Sequence, residues 1–214
     1  MKMNLILNRD ENNIIGVDSE LPYHIKEDMK WFQKHTLHNI VVMGYNTWKS
    51  LPKRPLKDRY NVVISKNHQD ELLNKNPKPH KTFTSFEQFI DTFRISSHNI
   101  GSYRFTHEGL SLKDNPEIFI IGGSQLYEQA MKLNLVNTIY ETKCKTGILF
   151  DCKMGIIYSN FKIDPNIYEK TYCKKMRSEG SIYYKTNAPR YNVDIDYCFN
   201  IYRKQLDINK DEMQ

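Results

Sequence analysis

Short apolar runs alternate with helical segments over most of the chain, and this alternation constrains the fold more than any other feature. Strands are predicted at residues 3–8, 39–43, 60–65, 117–121 and 138–143, and helices at 26–35, 46–51, 86–93 and 125–133. Alternating strands and helices favour a parallel sheet flanked by helices. Three later runs, 168–173, 181–185 and 197–203, alternate without a helix between them, which predicts antiparallel strands. We therefore predict an α/β fold with a mixed, mostly parallel central sheet closed by a C-terminal antiparallel hairpin.

The chain length indicates one domain. Its 214 residues are enough for one well-buried core and short for two. We predict a domain over residues 1–203, in which the polar, poorly periodic stretch 94–115 is an inserted loop. Residues 204–214 form a polar C-terminal tail.

Charge and cysteine content narrow the classes of partner. The formal net charge of +6 favours anions such as phosphates. Without a dense basic run, nucleic acid is not an expected partner. The cysteines at 144, 152, 173 and 198 show no CxxC spacing, so no metal site or disulfide framework is predicted and a reducing compartment is favoured. No run is long and apolar enough for a signal peptide or a membrane span, so we expect a cytoplasmic protein without membrane contact. We also expect a monomer.

One carboxylate lies on the apolar side of a predicted helix. The segment IIGVDSELPYHIKEDMKWF passes from a strand end through a loop into a helix, on which Asp28 has Ile25, Trp31 and Phe32 as its neighbours three and four positions away. A carboxylate on a core-facing stripe is costly unless a polar group meets it. Two interpretations stay open: Asp28 interacts with the helix dipole, or it faces a ligand site.

Two strand–glycine–helix junctions are candidate phosphate-binding sites. They are EIFIIGGSQLYEQAM, with Gly122 and Gly123, and VVMGYNTW, with Gly44 followed by Thr47. Helix N-termini offer free N–H groups, and ligands of open α/β sheets bind at the carboxyl ends of strands. The GxGxxG spacing of a dinucleotide fingerprint is missing, and plain tight turns are the alternative.

An arginine follows RPLKD and precedes a predicted strand. The Arg59 guanidinium is suited to hold a carboxylate with two parallel hydrogen bonds. An exposed arginine that only aids solubility is the alternative.

Together, these segments closely resemble dihydrofolate reductase. The resemblance rests on IIGVDSELPYHIKEDMKWF, TLHNIVVMGYNTWKSLPKRPLKDRYNVVIS, IFIIGGSQLYEQA and YCFNIYRK, in that order and spacing. It covers nearly the whole chain outside the 94–115 stretch and the tail. It implies a single-domain enzyme that reduces dihydrofolate to tetrahydrofolate with NADPH, as part of one-carbon metabolism, and that binds antifolates.

The resemblance also implies a substrate site. Asp28 would grip the pteridine and support protonation of its ring nitrogen, with Thr142 bonded to Asp28 and Tyr23 as a further catalytic candidate. Arg59 would hold the glutamate carboxylate of the substrate. Desolvation in an apolar pocket raises a carboxyl pKa, which suits a proton source. The remaining pocket residues would be Ile6, Met29, Phe32, Leu51 and Leu56.

The resemblance also implies a cofactor site, which contains more residues than the substrate site. A mobile loop over residues 15–21 would close over the nicotinamide, and in the family the Gly-Gly peptide is cis. The cofactor-binding candidates are Asn8, Ile15, Gly16, Asp18, Ser19, Leu21, Gly44, Tyr45, Asn46, Thr47, Ser65, Lys66, Ile121, Gly122, Gly123, Ser124, Gln125, Leu126 and Tyr127.

Three positions depart from the usual family pattern. Asn8 replaces an alanine whose backbone contacts the cofactor carboxamide, and Tyr23 replaces a tryptophan. Tyr45 replaces a basic residue at the 2′-phosphate, so use of NADH becomes possible, although Lys66 can compensate.

Two rival functions stay open, and the three departures support only the second. The first is a reductase of the same fold acting on a pyrimidine intermediate of riboflavin synthesis, against which the combination of Asp28 and Arg59 argues. The second is a non-catalytic module that binds folate, nucleotide or RNA.

Overall fold

The computed structural model describes residues 3–98, 110–147, 155–182 and 191–205. The helices are α1 (Lys26–Thr36), α2 (Tyr45–Ser50), α3 (Gln69–Asn74), α4 (Phe86–His98) and α5 (Ser124–Lys132). The strands are β1 (Met3–Asp10), β2 (Ile14–Val17), β3 (Tyr23–His24), β4 (Ile40–Gly44), β5 (Tyr60–Ile64), β6 (Lys81–Phe83), β7 (Ile118–Gly122), β8 (Val136–Lys145), β9 (Ile156–Tyr158), β10 (Tyr168–Ile182) and β11 (Tyr191–Lys204).

A mixed sheet of nine described strands organises the molecule. Its order is β3-β10-β11-β8-β1-β7-β4-β5-β6. The strands from β8 to β6 run parallel to their neighbours. Strands β11, β10 and β3 continue the sheet in antiparallel pairs. The predicted fold class, a mostly parallel sheet closed by an antiparallel hairpin, is confirmed.

Strand β1 lies inside this sheet and is buried along its whole length. Successive side chains of a strand point to opposite faces. Leu5 and Leu7 therefore pack with the apolar residues of α4 and α5, whereas Ile6 packs with Trp31 of α1 and Trp48 of α2. The same alternation puts Asn8 on the face of α1 and Arg9 on the face of α5.

A buried ionic network fills the end of the α5 face. Arg9 Nε donates to Glu141 Oε1 of β8 at 2.7 Å, and Arg9 Nη1 donates to Ser159 Oγ at 3.3 Å. Glu141 Oε2 accepts hydrogen bonds from Asn200 at 3.0 Å and Tyr202 at 3.1 Å. The network thus joins β1, β8, β11 and the segment after β9.

Several predicted element boundaries differ from the observed ones. Helix α4 extends to His98, so residues 94–98 of the predicted inserted loop are helical; the sequence RISSH contains no glycine or proline to end the helix. Residues 99–109 lie outside the described ranges. The predicted strands 168–173 and 181–185 belong to one strand, β10, as far as Ile182, where the description stops. Lys204, which was predicted to begin the tail, pairs with Tyr168, because the ladder between β10 and β11 continues to that residue. Residues 206–214 lie outside the described part of the chain.

Helix α4 begins with a side-chain cap. Ser85 Oγ accepts a hydrogen bond from the Gln88 amide at 3.1 Å, while Gln88 Oε1 accepts one from the Thr84 amide at 2.8 Å. The first bond is that of an N-cap side chain to the third helical residue. The second reaches Gln88 from Thr84, the residue before the cap, so only one of the two bonds of a capping box is formed.

Candidate active site

Asp28 projects from the first turn of α1 into the interior. Within this helix, which the structure describes in full, Asp28 is the one buried charged side chain. Thr142 Oγ1 of β8 donates to Asp28 Oδ1 at 2.5 Å, and Asn8 Nδ2 of β1 donates to Asp28 Oδ2 at 2.9 Å. Both carboxylate oxygens are therefore engaged by neighbouring strands of the central sheet. The helix dipole alone does not account for this arrangement.

Burial changes the acidity of Asp28. Desolvation raises the pKa of its carboxyl, and the hydrogen bonds from Thr142 and Asn8 and the charge of His24 act in the opposite direction. The net shift is upward. Asp28 thus holds a proton at higher pH than an exposed aspartate does, which is what a proton source in a dry pocket requires.

Four of the five apolar residues predicted to line a pocket share one cluster. It is formed by side chains of β1, β4, β5, β7 and β8 together with residues of α1, α2, α3 and the segment after α2. Met29 lies half-buried on α1, outside this cluster. The predicted pocket residues inside the cluster are Ile6, Phe32, Leu51 and Leu56.

Arg59 is a buried cation near this cluster. Its guanidinium lies over the Phe32 ring at 5.8 Å and donates to Thr36 Oγ1 at 3.2 Å and to the Lys57 carbonyl at 3.0 Å. Among the residues that the structure describes, no carboxylate lies within 4.0 Å of it. Desolvation lowers the pKa of the Arg59 guanidinium, and Asp58 partly offsets this effect. A buried guanidinium without a carboxylate partner is suited to bind an external one.

The two glycine junctions meet because β4 and β7 are parallel neighbours. A Cβ added at Gly44 would lie 3.7 Å from the Gly123 nitrogen, so the two backbones are close. Gly122 has φ of +136°, and a Cβ there would lie 2.9 Å from Thr47 Oγ1. Both features favour glycine at position 122, because a residue with a side chain would strain the backbone there and its Cβ would clash with Thr47. The Gly122–Gly123 peptide is cis.

Each of the two junctions is followed by a helix whose start is not capped by a side chain. In the described structure, Gly44 precedes α2 and Gly123 precedes α5, and neither helix start is capped by a side chain. Free amides at a helix N-terminus favour an anion. Of the predicted cofactor residues on α5, Leu126 and Tyr127 are buried, and the Tyr127 hydroxyl donates to the Ile6 carbonyl at 2.9 Å. Their side chains therefore belong to the core.

Tyr45 is part of a polar cluster beside the first junction. Its hydroxyl donates to Glu71 Oε2 at 2.6 Å, and Lys49 Nζ pairs with Glu71 Oε1 at 2.9 Å. The Tyr45 ring stacks on His68 at a centroid distance of 3.7 Å, and His68 Nδ1 lies 3.1 Å from Ser65 Oγ. The hydrogen bonds from Tyr45 and Lys49 lower the pKa of Glu71 to about 2. The negative charge of Glu71 therefore offsets the positive charge of Lys49 beside this junction.

The first half of the predicted mobile loop, residues 15–18, is bonded to β9 and to Gly155. Strand β2 pairs with β9, a pairing that the sequence did not predict. Beyond it, the Asp18 amide donates to the Gly155 carbonyl at 3.0 Å, and Asp18 Oδ1 accepts from the Gly155 amide at 2.7 Å. Leu21, at the end of the loop, is exposed.

Tyr23 and Asn8 make side-chain contacts that the sequence did not predict. The Tyr23 hydroxyl is bonded to Asp10 Oδ2 and Thr146 Oγ1, both at 3.1 Å, so the catalytic role of Tyr23 stays a prediction. The Asn8 side chain contacts Asp28, although only its backbone was expected to matter. Strand alternation from Ile6 was the signal that could have revealed this contact.

Residues 3–98, 110–147, 155–182 and 191–205 contain no cluster of three or more His, Cys, Asp or Glu arranged to hold a metal ion. Within the same ranges, no helix has the length and apolar character needed to cross a membrane.

Comparisons with known proteins give one family. The family model described as "Dihydrofolate reductase" matches residues 2–186. A dihydrofolate reductase of Buchnera aphidicola subsp. Schizaphis graminum (strain Sg) is 31% identical over 201 residues, which cover 94% of this chain and 98% of that protein. One from Schistosoma mansoni is 35% identical over 143 residues, covering 63% of this chain and 67% of that protein. Among solved structures, a dihydrofolate reductase from Enterococcus faecalis complexed with NADP(H) and RAB-propyl matches with a TM-score of 0.62 at 20% identity, covering 96% of this chain and 97% of that one.

Proposed function

The chain belongs to the dihydrofolate reductase family, and from that premise we propose that it reduces 7,8-dihydrofolate to 5,6,7,8-tetrahydrofolate with NADPH. The observation that carries the proposal is the environment of Asp28. This residue is 5% exposed, and its carboxylate is held by Thr142 and Asn8 beside an apolar cluster. One polar group in an otherwise apolar pocket is suited to orient a flat heterocycle.

The residues at the two glycine junctions fit a dinucleotide phosphate. The uncapped starts of α2 and α5 and the close approach of Gly44 to Gly123 leave backbone amides available to phosphate oxygens. We assign the remaining cofactor contacts to Ser65 and Lys66 and to the loop around Asp18. When bound, NADPH supplies the hydride.

Asp28 performs the proton half of the reaction. Its oxygens accept hydrogen bonds from the amino group and ring N–H of the pteridine, in addition to those from Thr142 and Asn8, because a carboxylate has about four acceptor positions. When Asp28 is protonated, its O–H takes the place of one of these accepted hydrogen bonds. The raised pKa favours this form, from which the proton reaches the ring nitrogen, through water where the distance requires it. Apolar neighbours such as Phe32 and Leu51 exclude bulk water from the reacting ring.

A spectrophotometric assay with dihydrofolate, run in parallel with NADPH and NADH, tests the proposed function. We expect turnover with NADPH. Turnover of a pyrimidine intermediate of riboflavin synthesis in place of dihydrofolate would support the first rival. Tight methotrexate binding without turnover would support the non-catalytic module, and salt-sensitive RNA binding would support its nucleic-acid form.

Three finer assignments accompany this function. Antifolates with a protonated diaminopyrimidine ring are expected to bind, because Asp28 offers a buried carboxylate to that ring. We assign the protein to the cytoplasm as a monomer. Sedimentation at micromolar concentration tests the monomer, and isothermal calorimetry with methotrexate tests the antifolate site.

Replacing Arg59 by leucine should weaken dihydrofolate binding by about 2–5 kcal/mol, the range for loss of one partner of a buried charge pair. NADPH affinity should change little, because Arg59 packs on Phe32 and Thr36, away from the glycine junctions. Equilibrium binding of each ligand measures both effects. Arg54→Leu is the matched control, since Arg54 lies in the same segment and stacks on Trp48 at 5.7 Å. Equal weakening of both ligands by Arg59→Leu would make this residue structural.

Tyr45 should relax selectivity for NADPH over NADH. The cofactor's 2′-phosphate would meet a tyrosine and the carboxylate of Glu71, and Lys49 is already paired with that carboxylate. Tyr45→Arg combined with Glu71→Gln should tighten NADPH binding about tenfold or more and leave NADH unchanged, as a new charge-assisted hydrogen bond predicts. Fluorescence titration with both cofactors measures this. Strong discrimination by the native chain, together with no gain in the variant, would show that another cation such as Lys66 already supplies the charge.

A further inference from the structure

Asn8 makes a contact with the catalytic carboxylate that its position in the family pattern did not suggest. It is buried near the carboxyl end of β1, and its Nδ2 atom donates to Asp28 Oδ2 at 2.9 Å. Cys144 Sγ of β8 lies 3.3 Å from Asn8 Oδ1 and donates to it. The thiol therefore orients the amide so that its nitrogen faces Asp28.

The two donors on Asp28 have different capacities. The Thr142 hydroxyl can donate to the ionised carboxylate or rotate and accept from the neutral acid. The Asn8 amide nitrogen can only donate, so in this orientation it favours the ionised form. A second hydrogen bond also restricts rotation of the carboxylate, which two fixed donors on separate strands hold in one plane.

We propose that Asn8 is a positioning residue of the reaction, whose amide holds the Asp28 carboxylate in one orientation and favours its ionised form. The inference rests on the proposed function, in which Asp28 receives the pteridine. It adds a side-chain role at a position where the family resemblance implied only a backbone contact to the cofactor.

Among the described residues, no other titratable group near Asp28 donates a hydrogen bond to its carboxylate. His24 of β3 lowers the pKa of Asp28 through its charge. Cys144 of β8 and Tyr197 of β11 also sense the charge of Asp28, and burial raises the pKa of each, so both are neutral at pH 7. Asn8 and Thr142 are thus the two hydrogen-bond donors to Asp28 in the described structure.

The direct test is the titration of Asp28 followed by NMR in protein with 13C-labelled aspartate carboxyls. Asn8→Ala should raise the pKa of Asp28 by about one to two units, the equivalent of one lost hydrogen bond to a charged group. The pH profile of kcat/KM for dihydrofolate should move upward by the same amount. The Asp28→Asn variant identifies the Asp28 resonance.

Asn4→Ala is the matched control. Asn4 is buried on the same strand and face, and its Nδ2 also donates to a carboxylate, Glu117 Oε2, at 2.8 Å. Its removal should cost stability without moving the Asp28 titration or the pH profile. Asn8→Asp keeps the size of the side chain, should the alanine variant not fold. It replaces the donor by a second carboxyl, so the apparent pKa of the pair should rise further than in Asn8→Ala.

The outcomes separate this inference from the proposed function. Normal turnover of dihydrofolate with an unchanged Asp28 titration in Asn8→Ala, or an equal shift in Asn4→Ala, overturns the role of Asn8 and leaves the function in place. Absence of turnover in the native protein refutes the function itself, before any variant is compared.

Discussion

Asp28→Asn is expected to lower the steady-state rate of dihydrofolate reduction at neutral pH by about 10²–10⁴-fold, the usual contribution of a positioned acid–base group. The substitution keeps the shape of the side chain. The Asn8 amide can still donate to the new carbonyl oxygen, and the Thr142 hydroxyl can turn to accept from the new amide. What is lost is the proton and the negative charge. The rate should recover in part as pH falls, because solvent then protonates the ring directly.

The stability of the same variant should depend on pH in a defined direction. Burial raises the pKa of Asp28 in the folded state above its value of 3.8 in an exposed chain. Between these two values the folded protein binds more protons than the unfolded chain, so the buried carboxyl lowers stability increasingly as pH rises through this window. Asp28→Asn removes this cost. Its free energy of unfolding should exceed that of the native protein at pH 7, and the difference should disappear at about pH 4 and below.

Glu27→Gln is the control for the helix-dipole interpretation. Glu27 occupies the same first turn of α1, but it is only partly buried and accepts a hydrogen bond from Ser178 at 3.2 Å. Stopped-flow and steady-state rates should be nearly unchanged in this variant. Similar losses in both variants, or wild-type turnover of Asp28→Asn at all pH values, would return Asp28 to a helix-end role.

Breaking the Arg9–Glu141 pair should produce the largest loss of stability. The two side chains are 2.7 Å apart and almost fully buried, so Glu141→Leu leaves a guanidinium without its counter-charge. Loss of one partner of such a pair costs about 3–5 kcal/mol. Asn200 and Tyr202 also lose their acceptor, which adds to the effect. Urea denaturation at pH 7 measures the free energy of unfolding.

Replacing both partners tests whether the charge or the packing matters. Arg9→Leu combined with Glu141→Leu should recover more than half of the loss, because the unpaired charge is gone. The exposed pair Arg177–Asp194 is the control: its atoms are 3.2 Å apart, with side chains 65% and 62% exposed. Arg177→Leu should change stability by about 1 kcal/mol or less. A double variant as unstable as Glu141→Leu alone would contradict the assignment to the buried charge.

Most elements of the sheet could be predicted from local pattern. The runs NIVVM and YNVVIS are short, apolar and bounded by polar or glycine residues, and both are strands, β4 and β5. The short strands β3, β6 and β9 were not predicted, and of β2 only a strand end at Ile14 was. Two to four residues carry too little periodicity, and their pairing partners are distant in sequence, as Ile14 and Tyr158 are.

In the candidate site too, some features could be predicted from the local sequence and others could not. Asp28 and the glycine junctions were recognisable because each breaks a local rule: an acid on an apolar helix face, and glycine between a strand and a helix. The resemblance to dihydrofolate reductases added the family, which the comparisons confirm. The Asn8–Asp28 and Arg9–Glu141 contacts join residues separated by 20 and 132 positions, and no local pattern relates them.

The sequence by itself determined the fold class, the order of its main elements and the residues that carry unusual chemistry, because hydrophobic periodicity and turn residues act over a few positions. Only the tertiary structure decided which polar groups meet. The parallel pairing of β1 with β8 brings Thr142 and Asn8 to the two oxygens of Asp28 on one face, and Glu141 to Arg9 on the other. Such partners are selected by strand register, and a shift of one residue would exchange the two faces.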